Sequence, residues 1–464
     1  MSRQRPWRDR VEPLSGGDDS TKKRSDKQKR GSLTARDRLT AALHHQVPDR
    51  LCVDLGAGGQ TGMGVCAVHR LRQALLGRSD HRVKVIEPYQ MLGEIDEELC
   101  RALQVDVVGV PAPTTMFGFP CEGWKPFVMH DGTPCLVPAR FNYTRDGNGA
   151  FLLYPQGDTA VPPCAKMPVG SYFFDAIIRQ RPIDEKRLDP ADNCEEFGLL
   201  SDDDIKFTTQ HARWLYEKTD YGIYMALPGA AFGDIALVPG TWLKDPKGIR
   251  DVEEWYISTV MRPDYVRRVF ETQCAIVLQN IERLAQAVRE YVQVVFVSGT
   301  DFGHQNGLFC SIETFRNLYQ PFYRAVNDKI HALTNWKTFI HSCGAVHDLI
   351  PEFIDAGFDI LNPIQTSAAG MDPVRLKKEF GKDLVLWGGG VDTQKTLPFG
   401  KPREVYREVR ERIDILAEGG GYVFSTIHNV QSDVPTSNIL AMVRALHDAR
   451  GLATEDLPSW IVDA

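Results

Sequence analysis

No run of apolar residues in this 464-residue chain approaches the roughly 20 that a helix needs to cross a bilayer, and the N-terminus has no hydrophobic signal core. A soluble, cytoplasmic protein is the expectation. Excess positive charge is also missing: 54 Lys and Arg stand against 61 Asp and Glu, a formal net charge of -7 spread along the sequence. That argues against a nucleic acid or an anionic membrane as partner. The ten cysteines follow no repeated spacing and none comes after Cys343, so a disulfide framework is not expected. The Gly-rich stretch from Gly56 to Gly64 has neither the Lys-Ser/Thr of a phosphate loop nor a following dinucleotide-binding pattern.

What is present bounds the architecture. The length allows one large barrel with additions, or two to three ordinary domains. Residues 1–31 carry basic clusters (Arg3, Arg5, Arg8, Arg10; Lys22 to Arg24; Lys27 to Arg30) interrupted by Asp9, Glu12, Asp18, Asp19 and Asp26. This segment cannot bury enough apolar surface to order itself, and it reads as a disordered extension outside the fold. Residues 32–464 form the folded part. Apolar runs at 51–55, 105–110, 222–227, 292–298, 336–341, 358–363, 384–388 and 421–427 read as strands, the last six in unbroken alternation with helical patterns. Eight such strands predict a parallel, closed sheet, a TIM (β/α)8 barrel of the α/β class.

Between about 112 and 204 the texture changes. Asp131-Gly132 and the run Asp146-Gly147-Asn148-Gly149 separate short alternating segments, which are hairpin signals. We expect a β-rich lid insertion over the barrel mouth, with Phe117, Phe119, Tyr143 and Tyr154 offered to a substrate. A helix from about Pro88 to Leu103 and one from Ser311 to Leu333 kinked by Pro321 are also expected.

The segment Trp336 to Gly344 reads as a buried strand ending in His341-Ser342-Cys343. Residues two apart share a strand face, so an imidazole and a thiolate can meet one ion. Composition alone yields about 0.26 such pairs by chance. A satisfied strand-end histidine beside a buried thiol is the plainer alternative, and position is what raises the pair above chance. In a barrel, polar residues at strand C-terminal ends converge on one mouth. Here these are Asp54, Asp106, Asp301, His341 with Cys343, Asn362 with Gln365, Asp392, and His428 with Asn429. Singly, Asp301 or Asp392 is more often a loop cap, and Asn362 more often braces a turn. His428 closes another buried strand, Tyr422 to Ile427, and three protein ligands with one open position is the arrangement of catalytic zinc. Expected roles are metal binding for His341, Cys343 and His428; catalysis for Asp301, Asp392, Asn362 and Gln365; and substrate contact for Asp54, Asp106, Phe117 and Tyr154.

Four motifs, Pro48-Asp49-Arg50, Ser311-Ile312-Glu313-Thr314-Phe315, His341-Ser342-Cys343-Gly344 and Gly388-Gly389-Gly390-Val391-Asp392, carry a resemblance. Over about residues 33–450 the chain resembles the uroporphyrinogen decarboxylase superfamily, in particular its zinc-dependent, corrinoid-linked methyltransferases. The resemblance implies zinc held by His341, Cys343 and a later cysteine, a small-molecule methyl donor or acceptor, and a corrinoid. Here His428 stands where the later cysteine is expected, although Cys164 of the insertion could restore a second thiolate. No corrinoid-binding module is evident in the chain, so the resemblance implies a corrinoid protein as partner. A homodimer is left open. A porphyrinogen decarboxylase, the other branch, holds substrate carboxylates with arginines in the first strand loop. That loop, Asp54 to Thr61, has no Arg or Lys. A non-catalytic ligand-binding barrel is the third alternative.

Overall fold

The computed structural model describes residues 32–78 and 80–452. The expected extension at 1–31 lies outside them. Eight parallel strands run β1 (Cys52–Val53), β2 (Val107–Gly109), β3 (Gly222–Ala226), β4 (Val294–Ser298), β5 (Lys337–His341), β6 (Ile360–Asn362), β7 (Val385–Trp387) and β8 (Tyr422–Phe424). Their order in the sheet is β1-β8-β7-β6-β5-β4-β3-β2. The two ends meet where the Asp106 amide donates to the Val53 carbonyl oxygen at 2.8 Å. The result is a near-closed (β/α) barrel, with the helices outside it.

The two-residue strand period divides the core in two. Cys52, Val107, Tyr224, Val294, Phe339, Ile360, Val385, Trp387 and Val423 fill the barrel interior. Their neighbours Val53, Val108, Ile223, Val295, Ile340, Leu361, Leu386 and Phe424 face the helices. Phe339 is the interior's keystone, its ring 5.5 Å from Tyr224 and 5.4 Å from Trp387. Truncating such a side chain to alanine costs about 3–5 kcal/mol. His341 has the parity of Phe339 and Asn362 that of Ile360, so both point inward, and the register pairs them directly.

Helix boundaries follow local chemistry. Thr34 and Asp37 make a capping box at Ala35–Leu43. Asp372 accepts the Arg375 amide at 2.8 Å ahead of Pro373–Phe380. Val405, Val409, Ile413 and Leu416 are the buried stripe of Pro402–Leu416. No helix among the described residues is long and apolar enough to cross a membrane.

Two helical expectations need correction. Only Glu97–Leu103 of the stretch from Pro88 is helical, started by the Asp96 cap. The residues before it form strands Val83–Glu87, which pairs with Pro134–Val137 of the insertion, and Leu92–Gly93, which pairs back onto Val83–Glu87. A helix that periodicity did not suggest, Val65–Leu76, precedes them. The Ser311 to Leu333 helix is interrupted upstream of Pro321, by a π-helical turn over Phe315–Tyr319. There the Gln320 amide reaches back to the Phe315 carbonyl, five residues away. The wider turn absorbs the missing proline N–H.

The insertion contributes Lys125–Val128 and Pro134–Val137 to a four-stranded sheet completed by Val83–Glu87 and Leu92–Gly93, and it contains a second four-stranded sheet of Tyr143–Arg145, Phe151–Leu153, Ala165–Met167 and Asp175–Ala176. It is tied to the loop that follows β3: Thr241 Oγ1 donates to the Met116 carbonyl at 2.7 Å, and Arg179 donates to the Leu243 and Gly240 carbonyls, each at 2.7 Å. Loops after β strands lie at the C-terminal mouth, so the insertion is anchored on that side.

Candidate metal centre

β5 delivers His341 to the barrel interior, and the chain then turns sharply so that Cys343 Sγ comes back to 3.3 Å from His341 Nε2. Gly344 makes that turn possible. Its φ is +94°, and a Cβ there would stand 2.3 Å from the Gly303 backbone carbon. Three acceptors fix the turn: Asp301 Oδ1 takes the Cys343 amide at 2.7 Å, Gln365 Oε1 the Gly344 amide at 2.6 Å, and the His304 carbonyl the Ala345 amide at 2.9 Å. From β8 comes His428, its ring centroid 5.7 Å from that of His341. One ligating atom from each of His341, Cys343 and His428 lies within 4.8 Å of the others.

The tautomer of His341 can be deduced. Asn362 Nδ2 donates to the Trp387 carbonyl oxygen at 3.0 Å, which can only accept, so Asn362 Oδ1 must face the imidazole. His341 Nδ1 therefore carries the proton and donates it at 2.5 Å, leaving the Nε2 lone pair toward Cys343. Burial holds His341 down at about 4, against the contrary pull of the Asn362 bond. Burial, and then the neighbouring His341, do the same to His428. Both rings are neutral at physiological pH, the form that ligates. The thiol of Cys343 is pushed well up, first by burial and then by the Asp301 charge. Only a positive charge nearby would ionise it.

A divalent ion suits this donor set. Two imidazoles and a thiolate are borderline-soft ligands matched to zinc, the outward nitrogen of His341 is already anchored by an amide, and three protein ligands leave a position free. Cys343 and His428 both retain some solvent exposure, which is where that free position would open.

The remaining expected residues divide. Asp301, Asn362 and Gln365 border the cluster, but Asn362 and Gln365 spend their side chains on holding His341 and Gly344. Asp54 is buried at the β1 end, its carboxylate taken by the Ala57 amide at 2.8 Å and the Trp387 indole at 3.0 Å. Asp392 caps its own turn through the Gln394 and Lys395 amides, as the loop-cap alternative has it. Asp106 is a correction: it precedes β2 rather than ending it, so it lies at the opposite, N-terminal end of the barrel. There it pairs with Arg38 at 3.2 Å and Arg450 at 2.7 Å. Phe117 and Phe119 are fully buried in the insertion's aromatic core, Phe117 against Tyr89 and Phe174 and Phe119 against Phe141, so neither is offered to a ligand. Tyr154 is buried with its hydroxyl 2.7 Å from Thr144 Oγ1, and Tyr143 packs edge-on against Phe127. Cys164 is buried in the insertion, 3.5 Å from the Leu153 carbonyl, and is no part of the cluster.

Three residues escaped the sequence reading. Trp387 is one, since an aromatic closing an apolar strand carries no sign that its indole serves Asp54. Tyr256 donates to the Asp301 carbonyl at 3.0 Å. Asp234, in the loop after β3, lies close enough to the end of β4 that a Cβ on Gly299 would be 2.8 Å from its Oδ2. Burial first, and then the Asp301 charge, push it up to about 7, while the Ala236 amide acts the other way.

Residues 245–449, which span β4 to β8 and so contain the whole cluster, match the model of the uroporphyrinogen decarboxylase (URO-D) family. Over these residues, which are less than half of the chain, the protein is similar to that family. The URO-D match begins after the insertion. Among solved structures, a methyltransferase from Methanosarcina mazei is similar at 14% identity with a TM-score of 0.49, covering 90% of this chain and 99% of that one. A GH113 beta-1,4-mannanase is similar at 9% identity and a TM-score of 0.27, covering 53% and 79%. At these scores neither likeness carries an argument about activity. Comparison with curated proteins gives no match.

Proposed function

We propose that the chain is a zinc-dependent methyltransferase that moves a methyl group between a small methylated substrate and the cobalt of a corrinoid carried by a separate protein. The observation that carries this reading is the convergence of His341, Cys343 and His428 at the barrel mouth, within the residues that match the URO-D family. A bound zinc ion would supply Lewis acidity toward the heteroatom that bears the methyl group. The chain's own residues set how much. Two neutral imidazoles and one thiolate leave the site one charge unit more positive than a set with two thiolates, which favours an oxygen- or nitrogen-bound methyl over a thiol. Asp301 keeps Cys343 in place through its backbone amide, and Asn362 keeps the Nε2 lone pair of His341 exposed. Carboxylates at Asp234 and Asp301, with no ion pair among the described residues, make this mouth unsuited to the polycarboxylate substrate of a porphyrinogen decarboxylase.

Metal analysis of protein purified without chelators tests the reading. About one zinc per chain is expected, with most of it lost in His341→Ala and Cys343→Ala. His428→Ala should weaken zinc binding at least about tenfold. Mixing with methylated compounds and a reduced corrinoid protein should then yield methylated cobalt. Wild-type protein devoid of any transition metal overturns the proposal.

A further inference from the structure

His341 and His428 are held in different ways, and both holds lead to the same loop. The His341 ring is fixed through its side chain, in the order Asn362, Trp387, Asp54. Asn362 donates to the Trp387 carbonyl, the Trp387 indole donates to Asp54 Oδ2, and Asp54 Oδ1 accepts the Ala57 amide. The ring of His428 makes no hydrogen bond among the described residues, so its position depends on its backbone. Thr426 Oγ1 donates to the His428 carbonyl at 2.5 Å. The next residue, Asn429, is bound by its side chain to the middle and the far end of the Gly-rich loop: it accepts the Gly62 amide at 2.6 Å and donates to the Gly59 carbonyl at 2.8 Å. Gln90 adds a second clasp, accepting from Asn429 at 2.6 Å and donating to the same Gly59 carbonyl at 3.2 Å. All of Asp54, Asn362, Trp387 and Asn429 are buried.

We infer that the loop from Gly56 to Gly62 is the positioning element of the centre, and that Asp54 and Asn429 are its positioning residues, one for each imidazole. This rests on the proposed metal site. Its physical basis is rigidity: an ion is held well only when its ligands need not reorganise, and hydrogen-bonded outer groups supply that orientation. The glycines let the loop approach the barrel mouth closely. A Cβ on Gly58 would lie 2.9 Å from the Tyr224 ring, and one on Gly62 2.8 Å from a Leu92 methyl. Phosphate cradling is not needed to explain this stretch.

The test uses full-length protein stripped of metal and reloaded with cobalt(II), whose visible absorption reports ligand geometry. Asp54→Asn, Asn429→Ala and the milder Gln90→Ala, on a half-buried clasp residue, are compared with wild type by cobalt spectrum, zinc dissociation constant and thermal melting. The expected result is a changed cobalt spectrum and a zinc affinity weaker by about tenfold or more in Asp54→Asn and Asn429→Ala, with a smaller loss in Gln90→Ala. Asn429→Asp, which keeps the acceptor for Gly62, should recover part of the affinity. If the variants merely melt earlier while spectrum and affinity stay at wild-type values, the inference is overturned and the metal reading stands. Should the first two fail to fold, an unchanged spectrum and affinity in Gln90→Ala overturns it. Wild-type protein that takes up neither metal overturns both.

Discussion

The two ends of the barrel treat the same residue type in opposite ways. At the N-terminal end Asp106 lies between Arg38 and Arg450, and Asp359 receives His331, Lys337 and the Thr338 amide, each at 2.8 Å. At the C-terminal mouth Asp234 and Asp301 accept from the backbone amides of Ala236 and Cys343, Asp301 also meets the Cys343 thiol, and no cation among the described residues pairs with them. Paired carboxylates serve the fold, because a charge that must be buried is tolerated only with its counter-charge. Unpaired ones at the mouth cost stability and remain free to answer a ligand's charge.

The largest expected break in this contrast is Asp106→Ala. It strands the buried Arg450 guanidinium and should destabilise the chain by about 3–5 kcal/mol in denaturant unfolding, with zinc content of the folded fraction unchanged. Loss of metal alongside a small stability change would erase the distinction between the two ends.

Asp359 gives a pH test of intermediate size. Burial alone would raise its pKa, but the bonds from His331 and Lys337 outweigh that and hold it at about 2. The folded pKa is thus below the unfolded one. Its contribution, about 2 kcal/mol, is present above about pH 4 and lost as pH falls toward 2. Asp359→Asn should remove that part of the acid transition, and an unchanged acid limb would count against the pairing.

The mouth should behave in the reverse sense. Asp234 sits at about 7 in the folded chain, above the usual carboxylate value, so between about pH 4 and 7 the folded state retains a proton the unfolded state has given up. Stability from this group therefore falls as pH rises through that window. Asp234→Asn should flatten the dependence and stabilise the metal-free protein by about 1 kcal/mol at pH 8. Melting of the two proteins across that range decides it, and a destabilised variant would mean that Asp234 is partnered after all.

Much of the barrel was legible because it is written in local pattern. Val294 to Ser298 and Lys337 to His341 are unmistakable apolar strands, and period-2 alternation put His341 on the inward face, whereas Cys343 lies past the strand's end and meets it through the turn at Gly344. The turn pairs Asp131-Gly132 and Asp146 to Gly149 likewise marked hairpins that the structure contains. Pairing across the chain was not legible. Val83–Glu87 became a strand because Pro134–Val137 lies beside it, and no local propensity records a neighbour about 50 residues away. Asp106 was misplaced by one strand-end: a residue before β2 and one after it look alike in sequence, yet stand at opposite ends of the barrel.

The sequence by itself determined the strand and helix alternation, and with it the barrel and the delivery of His341, Cys343 and His428 to strand ends, since these follow from side-chain period and chain order. Only the tertiary structure decided which polar residues meet. Closure of the sheet put β8 beside β1 and so brought Asn429 to the Gly-rich loop. Register alone set Asn362 opposite His341 and chose its tautomer. Aromatic packing drew Phe117 into the insertion's own core, because a large apolar side chain gains more from burial among rings than from facing a wet mouth.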